Sequence, residues 1–305
     1  MKILKKLIKW GLISILFLMI GCESLYLYAK ITPKLEIDKV NSFLFYDKDN
    51  KLFSNSSNKE WISLKQISPN LINATIAIED KHFFEHKGFD FLRIIKSLYV
   101  NFITGKKLQG ASTITQQYAK NLFLDFDKNW GRKIEEAWLT IRLESHYSKE
   151  QILEGYLNTI NYGGIFGIEN ASQYYFNKSA KDLTLAEASI LAGIPKSPSY
   201  YSPLVDEDAA KRRQKLILKA MVKNKYITEE EMEEAYNTEL VYVGSEERSS
   251  LSSLMYYQDA VISELKKIKT IPTSFLKTGG LKIYTNLDMK AQVLVDESVK
   301  KNLAS

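Results

Sequence analysis

The sequence predicts a mostly α-helical domain behind an N-terminal membrane helix, with a short α+β segment at its C-terminus. Three observations carry that prediction. Lys2, Lys5, Lys6 and Lys9 precede an apolar run from Trp10 to Cys22. Helical periodicity with repeated helix-start signals fills the stretch from Trp61 to Tyr236. After about residue 237 the pattern shifts to strand-like alternation, in Val241-Tyr242-Val243 and again in Leu281-Lys282-Ile283-Tyr284-Thr285.

The N-terminal run is short for a membrane span. Counted on through Leu25-Tyr26-Leu27-Tyr28-Ala29, with Glu23 near the outer headgroups, it gives roughly the 20 residues a helix needs to cross. The lysine flank belongs in the cytoplasm, so everything after about residue 30 lies outside. An uncleaved single-pass anchor over residues 1–30 is the preferred reading. A cleaved signal peptide and a lipoprotein box at Met19-Ile20-Gly21-Cys22, with Cys22 lipidated, are the alternatives. All three deliver the body of the protein to the outer face of the membrane.

Residues 31–60 read as a stalk with an extended piece around Phe43, Phe45 and Tyr46, followed by the polar stretches 47–50 and 54–58. The helical domain covers 61–236. Ser68-Pro69 starts a helix, with proline suited to its first position. Ser148…Gln151, Thr184…Glu187 and Thr228…Glu231 have capping-box spacing before apolar periodicity. Phe91, Ile94, Ile95, Leu98, Tyr99, Phe102 and Ile103 follow helical spacing from Asp90 to Gly105, with Lys106 and Lys107 beyond. That helix either faces the core or dips into a headgroup layer. Residues 237–305 begin an α+β region, with a helix expected from Tyr256 to Lys269 between its strands.

Composition narrows the partners. A net charge of +6 and a pI near 9.0 point to an anionic ligand, with phosphate groups the usual candidates. Nucleic acid is not expected, because the lysines are scattered and no zinc-finger, helix-turn-helix or aromatic RNA-binding pattern occurs. Three histidines and one cysteine supply no structural zinc site and no intramolecular disulfide.

Three segments carry chemistry. Glu79-Asp80-Lys81-His82-Phe83-Phe84-Glu85-His86-Lys87-Gly88 follows the apolar stretch from Leu71 to Ile78. Apolar walls around Glu79 would raise its pKa, the usual preparation of a general base, with Asp80 and His86 to orient it or bind substrate. In Gly110-Ala111-Ser112-Thr113-Ile114-Thr115-Gln116-Gln117, small residues let amides and hydroxyls approach a sugar or phosphate, with Lys120 one turn on. A Ser/Thr helix cap with an exposed polar face accounts for the same residues. In Arg132-Lys133-Ile134-Glu135-Glu136, the spacing brings Arg132, Lys133 and Glu136 onto one helical face. That face suits a pyrophosphate or its divalent metal, and equally a surface ion-pair cluster.

Together these segments resemble glycosyltransferase family 51, the peptidoglycan polymerase domain of class A penicillin-binding proteins and monofunctional transglycosylases. The likeness spans roughly residues 61–236 and continues through Lys149-x-x-Ile-Leu-Glu154-x-Tyr-Leu-Asn158, Ala171-Ser-x-Tyr-Tyr-Phe176-x-Lys178 and Leu191-Ala-Gly-Ile-Pro-Lys196-Ser-Pro198. It implies a lysozyme-like helical core, with residues 90–104 as the membrane-dipping region. It also implies polymerisation of lipid II onto a growing glycan strand, with inversion to a β-1,4 bond and release of undecaprenyl pyrophosphate. Glu79 would be the catalytic base and Glu136 its catalytic partner, with Mg²⁺ or Mn²⁺ as the candidate cofactor. Arg132, Lys133 and Lys196 would clamp the pyrophosphate. Thr113, Gln117 and Lys120 match donor-contacting positions, Phe83 and His86 sit near the base, and Asp80, Ser112 and Gln116 complete the substrate-binding set.

Class A enzymes continue into a transpeptidase domain, and residues 279–305 resemble the linker that introduces it. Lys277-Thr278-Gly279 overlaps Ser274-x-x-Lys277 in one short stretch, and Ser56-x-x-Lys59 lies in the stalk, so neither is a transpeptidase motif and no penicillin binding is expected. A separate transpeptidase or other wall synthase is the expected protein partner. Two other readings compete: a lysozyme-like lytic enzyme, which would not need the cationic clamp, and a non-catalytic membrane scaffold for wall synthases.

Overall fold

The computed structural model describes residues 2–37, 44–55, 61–105, 110–123, 130–163, 165–243 and 281–303, with scattered positions between 254 and 268. The chain is mostly helical and divides into two compact units. The first comprises Met1–Glu36 and Phe83–Ile152, the second Ile37–His82 and Leu153–Ser305.

In the first unit, helix α1 (Lys2–Ile31) packs on α5 (Trp130–His146), and so does α4 (Ile114–Phe123). Polar contacts tie the C-terminal part of α1 to α5. Tyr26 Oη donates to the Glu144 carbonyl at 3.1 Å, and His146 Nε2 lies 2.9 Å from the Ala29 carbonyl. The Tyr28 and Trp138 rings stack at 5.7 Å. Among the described residues no helix is long and apolar enough to cross a membrane. Side chains of most of the apolar run in α1, Cys22 included, lie outside the described residues, and so does the lipoprotein reading with them.

Helix α3 (Phe91–Thr104) starts where the sequence predicts. The Asp90 carboxylate accepts the Arg93 N–H at 2.9 Å, and Gly105 ends it in the left-handed region. The core-facing reading of this helix is corrected here. Of its apolar stripe, Phe91, Ile95, Leu98, Tyr99, Phe102 and Ile103 are exposed, Phe102 to 88%, Ile94 is half-buried, and Ser97 is the buried residue of the helix. Lys106 and Lys107 lie outside the described residues.

The second unit is built on α2 (Pro69–Glu79), whose Leu71, Ala74, Ile76 and Ala77 are buried against α8 (Leu185–Leu191) and α10 (Glu207–Lys223). Proline stands at the first turn of α2, as the sequence predicts. Gln214 pins α10 to α8 through bonds from Nε2 to the Ala186 carbonyl (3.0 Å) and Ser189 Oγ (3.1 Å). The three capping-box signals mark the starts of α6 (Lys149–Thr159), α8 and α11 (Glu229–Asn237), with reciprocal bonds at each. At α8 the Glu187 carboxyl is held below its ordinary pKa. Burial opposes ionisation there, but hydrogen bonds from Lys178 and from the Thr184 amide and hydroxyl outweigh it.

Two motif-bearing helices serve the scaffold. Glu154 on α6 accepts Trp61 Nε1 (3.0 Å) and the Leu64 amide (2.8 Å), while Asn158 brackets the Ile62 backbone through both its amide atoms. Ahead of α7 (Ile168–Phe176), Gly167 has φ +84°, and an added Cβ would lie 2.8 Å from the Asn158 carbonyl oxygen. That contact is backbone and cannot swing aside. Gly167→Ala is therefore expected to cost at least about 2 kcal/mol, read as a lower thermal midpoint.

Strand β1 (Leu44–Tyr46) pairs antiparallel with β2 (Leu52–Asn55) and parallel with β3 (Lys282–Tyr284). Phe45 and Ile283 form its small core with Phe53, Val261, Leu265 and Leu281. The polar stretch after β1 is its hairpin turn, where Asp47 Oδ1 accepts the amides of Asp49 and Lys51. The last helix, here α12, is Met289–Leu303. Residues 241–243, read from the sequence as a strand, make no strand in the structure. Instead the Tyr242 ring packs 5.6 Å from Phe176, and burial, with the charge of Glu207 behind it, raises its hydroxyl pKa. Described positions between 254 and 267 are helical; Phe43, Ser56 and Lys59, and the 274–279 stretch lie outside the described residues.

Candidate active site

Glu79 is the last residue of α2 and Asp80 its C-cap, with the Asp80 N–H donating to the Ile76 carbonyl. Asp80 is buried. The surroundings of Glu79 are not the bare apolar walls the sequence suggests. Arg213, from α10, donates through Nη2 to Glu79 Oε1 at 3.4 Å, with side chains 11% and 14% exposed. Nearby Tyr156 is fully buried, and burial first, then Glu79, Tyr162 and Asp80, drive its pKa well above the ordinary tyrosine value. It is a neutral hydroxyl at any working pH. Lys196 ends the 3₁₀ turn Ile194–Lys196 and is exposed. These residues all belong to the second unit.

The remaining candidates belong to the first unit, and the chain passes between the units from His82 to Phe83. Phe83 is fully buried, its ring 5.1 Å from Phe84 and 6.4 Å from His86. The Gly88 amide donates to His86 Nδ1 at 3.2 Å, which places the proton of a neutral imidazole on Nε2. Gly88 has φ +88°, and a Cβ there would lie 2.7 Å from Thr140 Cγ2. Its carbonyl accepts Thr113 Oγ1 at 2.7 Å.

Thr113 and Gln116 cap α4 reciprocally. Gln116 N–H donates to Thr113 Oγ1 (3.2 Å), and the Thr113 amide donates to Gln116 Oε1 (3.0 Å). Thr113 is thus a buried anchor for the Gly88 turn as well as a helix cap. Ser112 precedes it, half-buried, and Gln117 and Lys120 follow on α4, also half-buried.

On α5, Lys133 Nζ lies 2.5 Å from Glu136 Oε1, the lysine 49% exposed and the carboxylate 2%. Glu136 Oε2 is buried with no hydrogen-bond partner. A buried anionic oxygen left open is costly and suits an incoming donor or cation. Arg132 is half-buried on the preceding position. Among the described residues no cluster of three or more metal-ligating side chains occurs. Glu136 Oε2 would suit an ion such as Mg²⁺, which takes one or two carboxylates and fills its remaining positions with water and substrate phosphate.

Sequence reasoning missed two sets of residues. Arg213 looks, within Lys211-Arg212-Arg213, like part of a solvated charge run. Its signal is position: it falls on the same stripe as buried Ala209 and Ile217, four residues to either side. The second is Glu144, which accepts Thr115 Oγ1 at 2.5 Å and pairs with Lys149 Nζ at 2.7 Å. Glu136, Thr140 and Glu144 share helical spacing on α5, and that repeat of polar side chains on an inward stripe was the available clue.

Residues 48–222 match the family model described as Transglycosylase. Penicillin-binding protein 2D of Bacillus subtilis (strain 168) is 42% identical over 281 residues, 91% of this chain and 41% of that protein. Penicillin-binding protein 1F of the same organism is 40% identical over 248 residues, 81% of this chain and 34% of its own length. Penicillin-binding protein 1A of Aquifex aeolicus (strain VF5) is 40% identical over 245 residues, 80% of this chain and 33% of its own. A crystal structure of penicillin-binding protein 1A from Haemophilus influenzae aligns at TM-score 0.36 and 23% identity, over 69% of this chain and 22% of the other. The chain thus spans well under half the length of these relatives.

Proposed function

The chain belongs to the transglycosylase family, and from that premise we propose that it is a peptidoglycan glycosyltransferase that polymerises lipid II. The observation that carries this reading is the family match over residues 48–222, with Glu79 and Glu136 both inside it. Glu79 takes the proton of the acceptor 4-hydroxyl. The freed oxygen bonds to the anomeric carbon of the growing strand from the face opposite the leaving group. The bond from that carbon to undecaprenyl pyrophosphate breaks, giving a β-1,4 linkage with inversion.

Pyrophosphate leaves readily, so charge stabilisation matters more than protonation. Arg132, Lys133 and Lys196 supply cations for it. Glu136 holds Lys133 in place through Oε1, and its Oε2 would hold a divalent ion, which would neutralise phosphate charge. Thr113, through Gly88, fixes the turn that carries His86, while Gln117 and Lys120 face the donor strand.

The same reading puts the protein at the outer face of the cell membrane. The lysine flank before the N-terminal apolar run is the sequence ground for an anchor, and the exposed apolar face of α3 supports contact with the headgroup layer. A transpeptidase or other wall synthase would act on its product.

Labelled lipid II, supplied to the detergent-solubilised protein with Mg²⁺, should yield polymer resolved as a ladder on a gel. Folded protein that makes none overturns the assignment. Lys133→Ala should raise KM about tenfold to a hundredfold, the worth of one charge-assisted hydrogen bond. Kinetics unchanged across substrate concentrations would remove Lys133 from the clamp.

A further inference from the structure

Arg213 is expensive to keep where it is. Its side chain is 11% exposed, its Nε is buried without a hydrogen-bond partner, and its guanidinium carbon lies 5.7 Å from the Tyr201 ring. A buried ion pair adds little net stability over an apolar pair of the same volume, so packing alone does not call for an arginine here. The backbone is shaped to admit it. At Gly193 an added Cβ would fall 2.9 Å from Arg213 Cγ, so the arginine stem passes where any other residue would crowd it. Among the described residues the guanidinium meets one carboxylate, that of Glu79, at 3.4 Å.

We propose that Arg213 is a positioning residue for Glu79: by engaging Oε1 from α10, it fixes the carboxylate rotamer and presents Oε2 to the acceptor hydroxyl. This rests on the reading of Glu79 as the base. Helix α2 ends at Glu79, and the backbone beyond it is no longer helical, with Asp80 at φ −160° and ψ 74°. Helix α10 packs on α2 and brings the Arg213 guanidinium to the carboxylate at that terminus. Misplacing a reacting group by about 1 Å costs about 100-fold in rate. Arg213 acts through Glu79 and not on the substrate, so its loss should fall on kcat and leave KM nearly unchanged.

The test is steady-state polymerisation of lipid II by the full chain, comparing wild type, Arg213→Met, Arg213→Lys and Glu79→Gln, each checked for folding by thermal melting. Arg213→Met should lose about 100-fold in kcat with KM within about twofold. Arg213→Lys, which keeps the charge with a shorter reach and no planar guanidinium, should recover part of that loss. A folded Arg213→Met at wild-type kcat overturns the proposal, and so does a loss confined to KM or a lysine variant no better than methionine. If Arg213→Met does not fold, Gly193→Ala decides. Its Cβ displaces the arginine stem without removing the charge, and an unchanged kcat overturns the proposal. Glu79→Gln separates the two claims: activity there overturns the base assignment itself, whereas inactivity beside a fast Arg213→Met overturns the positioning role alone.

Discussion

Glu79→Gln is expected to bring polymerisation down by about 10²–10⁴-fold, the range a positioned general base contributes, while the thermal midpoint stays near that of the wild type. The substitution is nearly isosteric, and the amide oxygen still accepts from Arg213, so the α2–α10 contact survives. What disappears is the capacity to take a proton. Labelled lipid II and gel separation of the products measure the rate, and a melting curve run on the same sample measures the fold. Turnover comparable to the wild type would sink the assignment of Glu79, and would leave Arg213 facing a carboxylate of no catalytic consequence.

Helix boundaries were legible in the sequence because their signals are local. Ser68-Pro69, the three capping boxes, and Asp90 with Gly105 each act within one turn of the chain, and each marks a helix end. Burial was less legible. The apolar stripe of α3 has the same periodicity whether it faces a core or a lipid layer, so spacing could not tell that Phe102 would be 88% exposed. Short strands failed for a related reason. Val241-Tyr242-Val243 and Leu281–Thr285 alternate alike, yet only the second finds a partner, β1, more than 200 residues upstream. Pairing is a long-range property that three alternating residues do not encode.

The candidate site divides the same way. Motif residues announce themselves by type, whereas the residues that hold them are ordinary charges whose meaning comes from distant partners. Glu79 was visible as a carboxylate closing an apolar run, but Arg213 is 134 positions away along the chain. Thr113 and Gln116 were readable both as ligand contacts and as a helix cap; the cap is local geometry and is present, whereas a ligand contact is not a property of the chain alone.

The pair that anchors the 83–88 turn gives the largest stability effect. Lys149→Met should lower the free energy of unfolding by about 3–5 kcal/mol, the cost of stripping one partner from a buried ion pair. Glu144 is only 5% exposed in its side chain, and Lys149 16%, so water cannot replace the missing ammonium. Lys149 also lies over the buried Phe83 ring at 4.5 Å, an attraction that methionine keeps only in part. Thr115 Oγ1 would remain as the donor to Glu144, one neutral hydrogen bond for a full charge. A second substitution, Glu144→Gln, should recover much of the loss by removing the stranded charge, and that recovery separates electrostatics from packing. Urea titration of the two single variants and the double variant measures each term. The turn should loosen with the pair, because Gly88 sits against Thr140 and Glu144 and passes its position to His86 and Thr113. Activity should therefore fall in Lys149→Met more than the loss of folded protein explains. Stability within about 1 kcal/mol of the wild type would show that the turn is held by its apolar contacts and not by the buried pair.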